Sequence, residues 1–341
     1  MLDCLRSWLT QDYPGKVQVL FGVASLTDPA CHSVRRLIAE TPNCDAELVH
    51  CPESLGVNGK VSSLIQMQRR AKYDFVIVSD SDVFVPRDFL RNVLAPLREP
   101  EVGLVNCFYR FANPANFAMH CEAVAVNADF WSQVLQGRSM QPQDFALGAV
   151  MATRRGDLEK IGGFESLVNF LADDFQFGNR IARIAGKRID ICPVVVDCLS
   201  PPVSSGEVWA HQLRWARTIR ACKPLPYAAS ILSNATLWPL LWAVVQPGKW
   251  SLATLAGCVL LRIILAADLQ RRLGSVPGQA KYFWLPPVKD LFQFLLWIGA
   301  FAGRHVVWRG LRYRLLSDGR LEAVKSTGGP RTESAVTRET I

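Results

Sequence analysis

The sequence predicts an α/β domain built on a mostly parallel sheet, followed by helices that face lipid. Short apolar runs alternate with helix-like segments from Val17 to about Pro202. Such near-continuous apolar strands are typical of a parallel sheet buried on both faces. Half of the 341 residues are apolar and the mean hydropathy is +0.13, with the excess gathered after about residue 225. That asymmetry indicates a lipid-facing second part.

The elements of the first part follow from residue patterns. Apolar runs rich in β-branched and aromatic residues predict strands at 17–23 and 75–78, more alternating runs predict strands at 46–51 and 102–107, and 193–197 is also strand-like. Helix-like segments with apolar residues three or four apart lie at 58–72, 86–95 and 208–223. Asn58 is placed to cap the first helix. Because ligands gather at the carboxyl ends of parallel strands, the loops after strands are where chemistry is expected.

Three apolar segments follow this domain. Residues 227–245 carry no charge and, at about 1.5 Å per residue, are long enough to cross ~30 Å of hydrocarbon. Residues 250–267 can return, although Arg262 interrupts them, whereas the uncharged run 291–302 is short and favours an interfacial helix. Two crossings place the later basic residues on the side of the first domain, which the positive-inside tendency favours. These residues are Arg271, Arg272, Lys281, Arg304, Arg309, Arg312 and Arg314.

We therefore expect an α/β domain at 1–224, a membrane hairpin plus interfacial helix at 225–303, and a basic tail at 304–341, disordered from about Ser326. The expected protein is multi-pass, with its first domain on the cytoplasmic side. The net charge of +8 suits anionic lipid or a phosphorylated substrate. No basic run with interleaved aromatics occurs in the first two hundred residues, which disfavours nucleic acid. The ten cysteines form no Cys-x-x-Cys pair, and residues 1–8 do not form a signal peptide.

The strongest local signal is the pair Asp80 and Asp82, which follows the predicted strand 75–78. Two carboxylates at this spacing can approach one hard cation, Mg²⁺ or Mn²⁺, which would bridge a diphosphate and take up leaving-group charge. An ordinary turn ahead of the next helix is the alternative, and for the pair taken alone it is the more common case.

Two further signals lie at helix ends. Asp173 and Asp174 begin a predicted helix, where Asp174 can act as a general base or simply favour the helix N-terminus. Gln212, Arg214 and Trp215 lie just ahead of the apolar segments. Arg can bind a pyrophosphate and Trp can pack on a sugar or lipid, but a basic amphipathic helix resting on a bilayer is equally consistent.

Two weaker candidates precede these signals. The loop at 56–60 leads into a helix N-terminus, where Lys60 can hold phosphate or nucleobase oxygens. It lacks the P-loop pattern, which disfavours an NTPase. Asp28 can accept a uracil or ribose hydrogen bond, or cap the helix that follows it.

Taken together, these segments resemble the ceramide glucosyltransferase family and its bacterial relatives, including hopanoid-biosynthesis glycosyltransferases. The resemblance covers nearly the whole chain, and its most specific piece is the run 211–220, HQLRWARTIR. The segments 145–152, 161–164 and 171–174 also match in spacing.

This resemblance implies a GT-A fold, a UDP-sugar donor, a membrane-lipid acceptor and inversion at the anomeric carbon. The implied roles are uridine binding by Asp28, metal binding by Asp80 and Asp82, catalytic base at Asp174, and donor binding by the closing motif Gln212, Arg214 and Trp215. In the implied reaction the base deprotonates the lipid hydroxyl, which attacks C1 while the cation and an arginine balance the charge of departing UDP.

Two departures from the family keep other functions open. Where relatives have an acidic cluster, residues 23–28 of this sequence contain one acid, Asp28. Relatives also carry a transmembrane helix and a first strand before the segment that matches residues 4–14, and we expect the full protein to carry both ahead of this sequence. The alternatives are hopanoid (N-acetyl)glucosaminyl transfer, a processive polysaccharide synthase, and a degenerate UDP-sugar-binding membrane protein. The sequence does not name the donor sugar or the lipid.

Overall fold

Helices and strands alternate as far as residue 198, and the chain is mainly helical from there to residue 301. The computed structural model describes residues 1–274, 278–308 and 310–324. The α-helices of these ranges are α1 (Leu2–Leu9), α2 (Ala30–Glu40), α3 (Gly59–Gln68), α4 (Phe89–Leu94), α5 (Phe117–Val124), α6 (Trp131–Met140), α7 (Arg155–Lys160), α8 (Asp173–Arg183), α9 (Ser205–Cys222), α10 (Pro224–Ala229), α11 (Leu237–Val245), α12 (Lys249–Arg272) and α13 (Leu285–Phe301). The strands are β1 (Gln18–Val23), β2 (Asp45–His50), β3 (Phe75–Ser79), β4 (Val83–Phe84), β5 (Val102–Phe111), β6 (Val150–Arg154), β7 (Arg188–Cys198), β8 (His305–Trp308), β9 (Leu311–Leu315) and β10 (Leu321–Ala323). A π-helical segment, Ala125–Phe130, joins α5 to α6.

The N-terminal strands form a parallel pair, β1 with β2. Both lie within a residue of their predicted positions. Leu5 and Leu9 of α1 pack with Val34 and Leu37 of α2 in one apolar cluster beside this pair. The predicted cap of α3 is also confirmed, because the Asn58 side chain accepts a hydrogen bond from the Val61 amide at 3.1 Å.

The central five-stranded sheet has the order β3-β6-β5-β7-β4. The prediction of a mostly parallel sheet is wrong, because only β5 and β7 are parallel here and the other neighbours are antiparallel. That prediction equated burial on both faces with parallel strands. β5 and β6 are buried on both faces, yet they run in opposite directions. Burial reports that both faces are covered, and it does not fix the direction of the strand.

Two apolar clusters cover the two faces of this sheet. Phe89 of α4 and Trp131 of α6 belong to one cluster, and both side chains are fully buried. Leu158 of α7 and Phe177 of α8 belong to the other. Each such side chain contributes roughly 1.5–3 kcal/mol through burial, so the sheet is a rigid platform for the loops at its edges.

Residues 227–245 do not form the single helix that the sequence predicted. α10 and its 3₁₀ extension end near Ser233, and α11 restarts at an angle of 54°. The physical reason is Asn234, whose side chain accepts hydrogen bonds from the Thr236 and Leu237 amides and so starts a new helix. Among the described residues, α12 is long and apolar enough to cross a membrane. The two bent helical segments 224–233 and 237–245 are long enough only when they are taken together as one span.

A small antiparallel sheet, which the sequence analysis did not predict, follows α13. Its strands have the order β10-β9-β8. Val306, Tyr313 and Leu321 pack there with Val57 and Leu171, which precede α3 and α8. The sheet therefore braces the loops that lead into these two helices. The predicted disordered tail from Ser326, and Arg309, lie outside the described residues.

Candidate active site

Asp80 and Asp82 lie in the loop between β3 and β4, at the carboxyl end of β3 as the sequence predicted. The Asp80 amide donates to the Ala149 carbonyl at 3.3 Å, and the Leu199 amide donates to the Asp82 carbonyl at 2.9 Å. Both carboxylates are partly exposed. These hydrogen bonds hold the Asp-x-Asp backbone against Ala149, just before β6, and Leu199, just after β7. They therefore fix the positions of the Asp80 and Asp82 Cα atoms.

Lys60 joins this loop to the N-terminus of α8. Its ammonium lies 2.5 Å from Asp80 Oδ1 and 3.9 Å from Asp173 Oδ2. Asn58 Nδ2 donates to the other Asp173 oxygen at 3.2 Å. Burial opposes the charge on Lys60, but the Asp80 and Asp173 carboxylates outweigh it, and the net pKa of Lys60 is raised. The structure therefore brings Lys60 and Asp80 together as an ion pair.

Asp174 is the second residue of α8 and follows Asp173 directly. Burial, and then the neighbouring Asp173 carboxylate, raise the pKa of Asp174 to about 7. One oxygen accepts a hydrogen bond from the Phe175 amide at 2.7 Å. A carboxylate with a pKa near neutral pH suits general acid–base catalysis.

The segment between α6 and β6 connects the two carboxylate groups. A Cβ at Gly148 would lie 2.9 Å from Asp174 Oδ2, so the carboxylate packs directly against this glycine. The next residue, Ala149, accepts the hydrogen bond from the Asp80 amide. Asp80 and Asp174 therefore contact adjacent residues, and both carboxylates lie close enough to Lys60 to raise its pKa.

The donor set at Asp80 and Asp82 fits a hard cation that also binds a diphosphate. Burial, and then the Asp80 carboxylate, raise the pKa of Asp82 to about 6, as expected where two carboxylates converge. No group of three His, Cys, Asp or Glu side chains that could hold a metal occurs in the described part of the chain. Mg²⁺ is commonly held by one or two carboxylates plus water and substrate phosphates, so two carboxylates are sufficient for a shared site of this kind.

Gln212 and Trp215 of the closing motif lie on α9, which a capping box of Ser204 and Glu207 begins. Gln212 Nε2 donates to Glu122 Oε1 at 2.8 Å, and His211 Nδ1 lies 2.7 Å from the same oxygen. The Trp215 ring packs against His211 at 4.5 Å between centroids.

Arg214 lies on the same helix, where its carbonyl accepts a hydrogen bond from the Thr218 hydroxyl. At the end of α9, burial and then the nearby Asp174 carboxylate raise the pKa of Cys222 to about 12. Lys223 pairs with Asp144 at 2.9 Å in the segment before Gly148. The middle of α9 is therefore tied to Glu122, and its last residue, Cys222, lies near Asp174.

Asp28 adopts the capping role that the sequence analysis left open. Its carboxylate accepts a hydrogen bond from the Ala30 amide at 2.8 Å, at the start of α2. Among the residues described, no hydrogen bond or ion pair joins Asp28 to Asp80, Lys60 or Asp174. Nucleotide binding by Asp28 stays a prediction.

Two residues that contact the candidate site residues, Glu122 and Gly148, had no predicted role. Glu122 is a buried charged residue on α5, and its two partners lie 89 and 90 positions later. Glu122 could have been noticed from the sequence, because it is an acid within the mainly apolar run 117–128, where a buried charge needs a partner. Gly148 lies in the matching segment 145–152, and its available signal was a glycine two residues before a buried strand.

The comparisons with known proteins point to one family. The sequence profile of glycosyl transferase family 21 matches residues 1–321. Ceramide glucosyltransferase 1 of Caenorhabditis elegans is 23% identical over 341 residues, which cover 95% of this chain and 70% of that protein. Ceramide glucosyltransferase 3 of the same organism is 27% identical over 209 residues, 60% of this chain and 45% of that protein, so the chain spans less than half of this relative.

A bacterial relative and a solved structure complete the comparison. An N-acetylglucosaminyltransferase of Mesorhizobium japonicum is 27% identical over 229 residues, 63% of this chain and 51% of that protein. A crystal structure of S. aureus TarS 1-349 in complex with UDP-GlcNAc has a TM-score of 0.40 and 12% identity, and the match covers 94% of this chain and 95% of that chain. Because the family profile covers nearly all of the sequence, the chain belongs to glycosyl transferase family 21 and is a glycosyltransferase.

Proposed function

We propose that this enzyme has a GT-A fold and transfers a hexose from a UDP-sugar to the hydroxyl of a membrane lipid, with ceramide-type glucosyl transfer as the preferred activity. The observation that carries the proposal is that Asp80, which pairs with Lys60, and Asp174 contact the adjacent residues Ala149 and Gly148. Asp82 lies close enough to Asp80 to offer a cation two carboxylates, and Asp174 offers a base near them, which supports transfer from a nucleotide diphosphate.

In this mechanism Asp174 removes the proton from the acceptor hydroxyl as the oxygen attacks C1 of the sugar. The bond from C1 to the diphosphate breaks in the same step, and UDP leaves with the electron pair. Asp80 and Asp82 would hold a divalent cation, which when bound neutralises charge on the diphosphate. Lys60 places a second positive charge beside Asp80. Holding donor and acceptor in one cleft supplies much of the acceleration.

The closing motif on α9 has a donor-binding role in this proposal. Arg214 offers charge to the diphosphate and Trp215 an apolar surface, while Gln212 is oriented by Glu122. The uridine role of Asp28 rests on the family resemblance alone.

We further propose that the helices after α9 attach the enzyme to a membrane, with the catalytic domain on the cytoplasmic side. Exposed apolar side chains on α11, α12 and α13 support this attachment, as do the exposed basic residues Arg271, Arg272 and Arg304. A bilayer also supplies the acceptor. The bacterial relative's name favours N-acetylglucosaminyl transfer as the second candidate activity.

The proposed activity is tested by incubating the full chain, reconstituted in phospholipid vesicles, with radiolabelled UDP-glucose or UDP-N-acetylglucosamine and a panel of lipid alcohols. We expect a lipid that carries one sugar. A growing polymer would indicate a processive synthase instead. UDP binding without transfer to any lipid in the panel would indicate a binding protein without this activity.

Substitution of Gly148 by Ala should slow transfer without unfolding the protein. The new methyl group would lie 2.9 Å from Asp174 Oδ2 and must displace that carboxylate. A displacement of this size costs roughly 10- to 100-fold in kcat. Gly137→Ala is the matched control, because a Cβ there meets open space. Equal kcat values for the two variants would show that the position of the Asp174 carboxylate is not critical.

Substitution of Glu122 by Gln should weaken donor binding. The variant keeps the shape of the side chain but removes the charge that His211 and Gln212 share. Loss of one charge-assisted interaction costs about 1.5–3 kcal/mol, or roughly 10- to 100-fold in the KM for the UDP-sugar. The measurement is KM against kcat for the donor. An unchanged KM with a lower melting temperature would assign Glu122 to stability alone.

A further inference from the structure

One carboxylate closes the base of the hairpin that α11 and α12 form. Asp290 Oδ2 accepts a hydrogen bond from the Thr236 hydroxyl at 2.7 Å, just before α11, and from Arg262 Nε at 3.0 Å, in the middle of α12. Lys289 lies 3.0 Å from the other Asp290 oxygen. Both arms of the hairpin are therefore held at one point, and that point is a buried cluster of charges.

This cluster is attached to the catalytic domain. Arg262 and Lys289 both pair with Asp129, which lies in the π-helical segment between α5 and α6. Neighbouring residues of that segment, Val126 and Asn127, are buried in the domain. The charged base of the hairpin therefore lies at the surface of the folded domain.

The second half of α12 also belongs to the domain. Ala266 packs with Val124 and Ala128 in one buried cluster. Leu273, just after the helix, is part of the main core, and its carbonyl accepts a hydrogen bond from Arg110 at 3.1 Å. Only the first half of the helix, up to residue 261, projects from the domain.

The projecting arms are too short to cross a bilayer. α11 has 9 residues, and the uncharged part of α12 before Arg262 is residues 250–261. At about 1.5 Å per residue the arms reach ~14 and ~18 Å, against ~30 Å of hydrocarbon. The length that made α12 a candidate span includes the half that packs on the domain.

The surface of the hairpin nevertheless suits lipid. Val245 is 81% exposed, Trp250 73% and Leu260 60%, and most exposed large apolar side chains of the described chain lie on residues 225–301. Exposed Arg304, Arg312 and Arg314 follow α13, where they can contact anionic headgroups. Lys249 at the tip needs headgroups or water, which a hairpin tilted in the interface provides.

We propose that α11 and the first half of α12 form a re-entrant hairpin that enters one leaflet only, with Asp290 and Asp129 fixing its base to the catalytic domain. Both ends of the hairpin and the active site then lie on the same face of the bilayer. The inference rests on the membrane attachment in the proposed function, but it does not depend on sugar transfer. Its test therefore reads topology rather than activity.

Three glycines give matched labelling positions, because a Cβ at Gly137, Gly248 or Gly257 meets open space. Each is replaced by Cys in the full chain, and native membrane vesicles of both orientations are treated with a membrane-impermeant maleimide. Cys258, which is adjacent to Gly257, is first replaced by Ser in all three variants, and mass spectrometry of the peptide carrying each new cysteine then separates its labelling from that of the remaining native cysteines. Gly137→Cys on α6 reports the side of the catalytic domain.

We expect Gly248→Cys at the tip to react only from the side that labels Gly137→Cys, or only after detergent. Gly257→Cys, in the projecting arm, should react only after detergent. Labelling of Gly248→Cys from the opposite side would overturn the proposal, because the hairpin would then cross. Labelling of Gly257→Cys as fast as Gly137→Cys in intact vesicles would also overturn it, because the arm would lie in water.

Discussion

An Asp174→Asn enzyme should transfer sugar roughly 10²- to 10⁴-fold more slowly than the wild-type enzyme, with UDP affinity nearly unchanged. The amide keeps the size of the side chain but cannot accept the proton of the acceptor hydroxyl. Single-turnover transfer and UDP binding by calorimetry measure the two quantities separately. A variant that transfers at the wild-type rate would exclude Asp174 as the base, and a large loss of UDP affinity would assign it to the donor site.

The pH dependence of wild type and Asp174→Asn distinguishes the base from other roles. Because the pKa of Asp174 is raised to about 7, its carboxylate is protonated below that pH. The wild-type kcat/KM should therefore rise with pH through about 7 and level off above it. The residual activity of Asp174→Asn should lack this step. The same step in both proteins would mean that another group titrates.

The raised pKa of Asp174, which favours activity at high pH, lowers the stability of the folded protein at high pH. The pKa of Asp174 is higher in the folded protein than in the unfolded chain, so its protonated form stabilises the fold. That contribution is fully present below about pH 4 and is lost as pH rises through about 7. Asp174→Asn should consequently melt at a higher temperature than wild type at pH 8, with the difference smallest near pH 4.

The second large effect concerns the cation. Asp82→Asn should lower transfer at least roughly 100-fold at low Mg²⁺ or Mn²⁺, and a chelator should abolish wild-type transfer until either ion is restored. The variant keeps the shape of the side chain, so its melting temperature should not fall. Asp88→Asn, an exposed carboxylate six residues later in the chain, is the control and should behave as wild type. Full activity of Asp82→Asn in the presence of chelator would exclude a catalytic cation at Asp80 and Asp82, and the loop would then be an ordinary turn.

The local parts of this site could be predicted because each depends on nearby residues. A buried apolar run followed by two acids places Asp80 and Asp82 at a strand end, and Asn58 is a helix cap in both sequence and structure. Asp28 shows the limit of such patterns. An Asp at this position is expected both for a helix cap and for a nucleotide-binding residue, so the sequence does not distinguish the two roles. The hydrogen bond from the Ala30 amide supports the capping role.

The remaining features depend on contacts between distant residues. The ion pair of Lys60 with Asp80 spans 20 positions, and the contact of Gln212 with Glu122 spans 90. The antiparallel direction of β6 depends on which strands pair, which apolar content does not specify. The break at Asn234 was concealed by its uncharged side chain, because a hydropathy pattern counts charge and apolar area but not capping hydrogen bonds.

The most direct test of the central claim is the anomeric configuration of the lipid-linked sugar, determined by proton NMR on product made from an α-linked UDP-sugar. One displacement by a hydroxyl that Asp174 activates must invert C1, so the account predicts a β-linked glycolipid. An α-linked product would require two displacements or attack from the same face. It would contradict the role of Asp174 as the base in a single displacement.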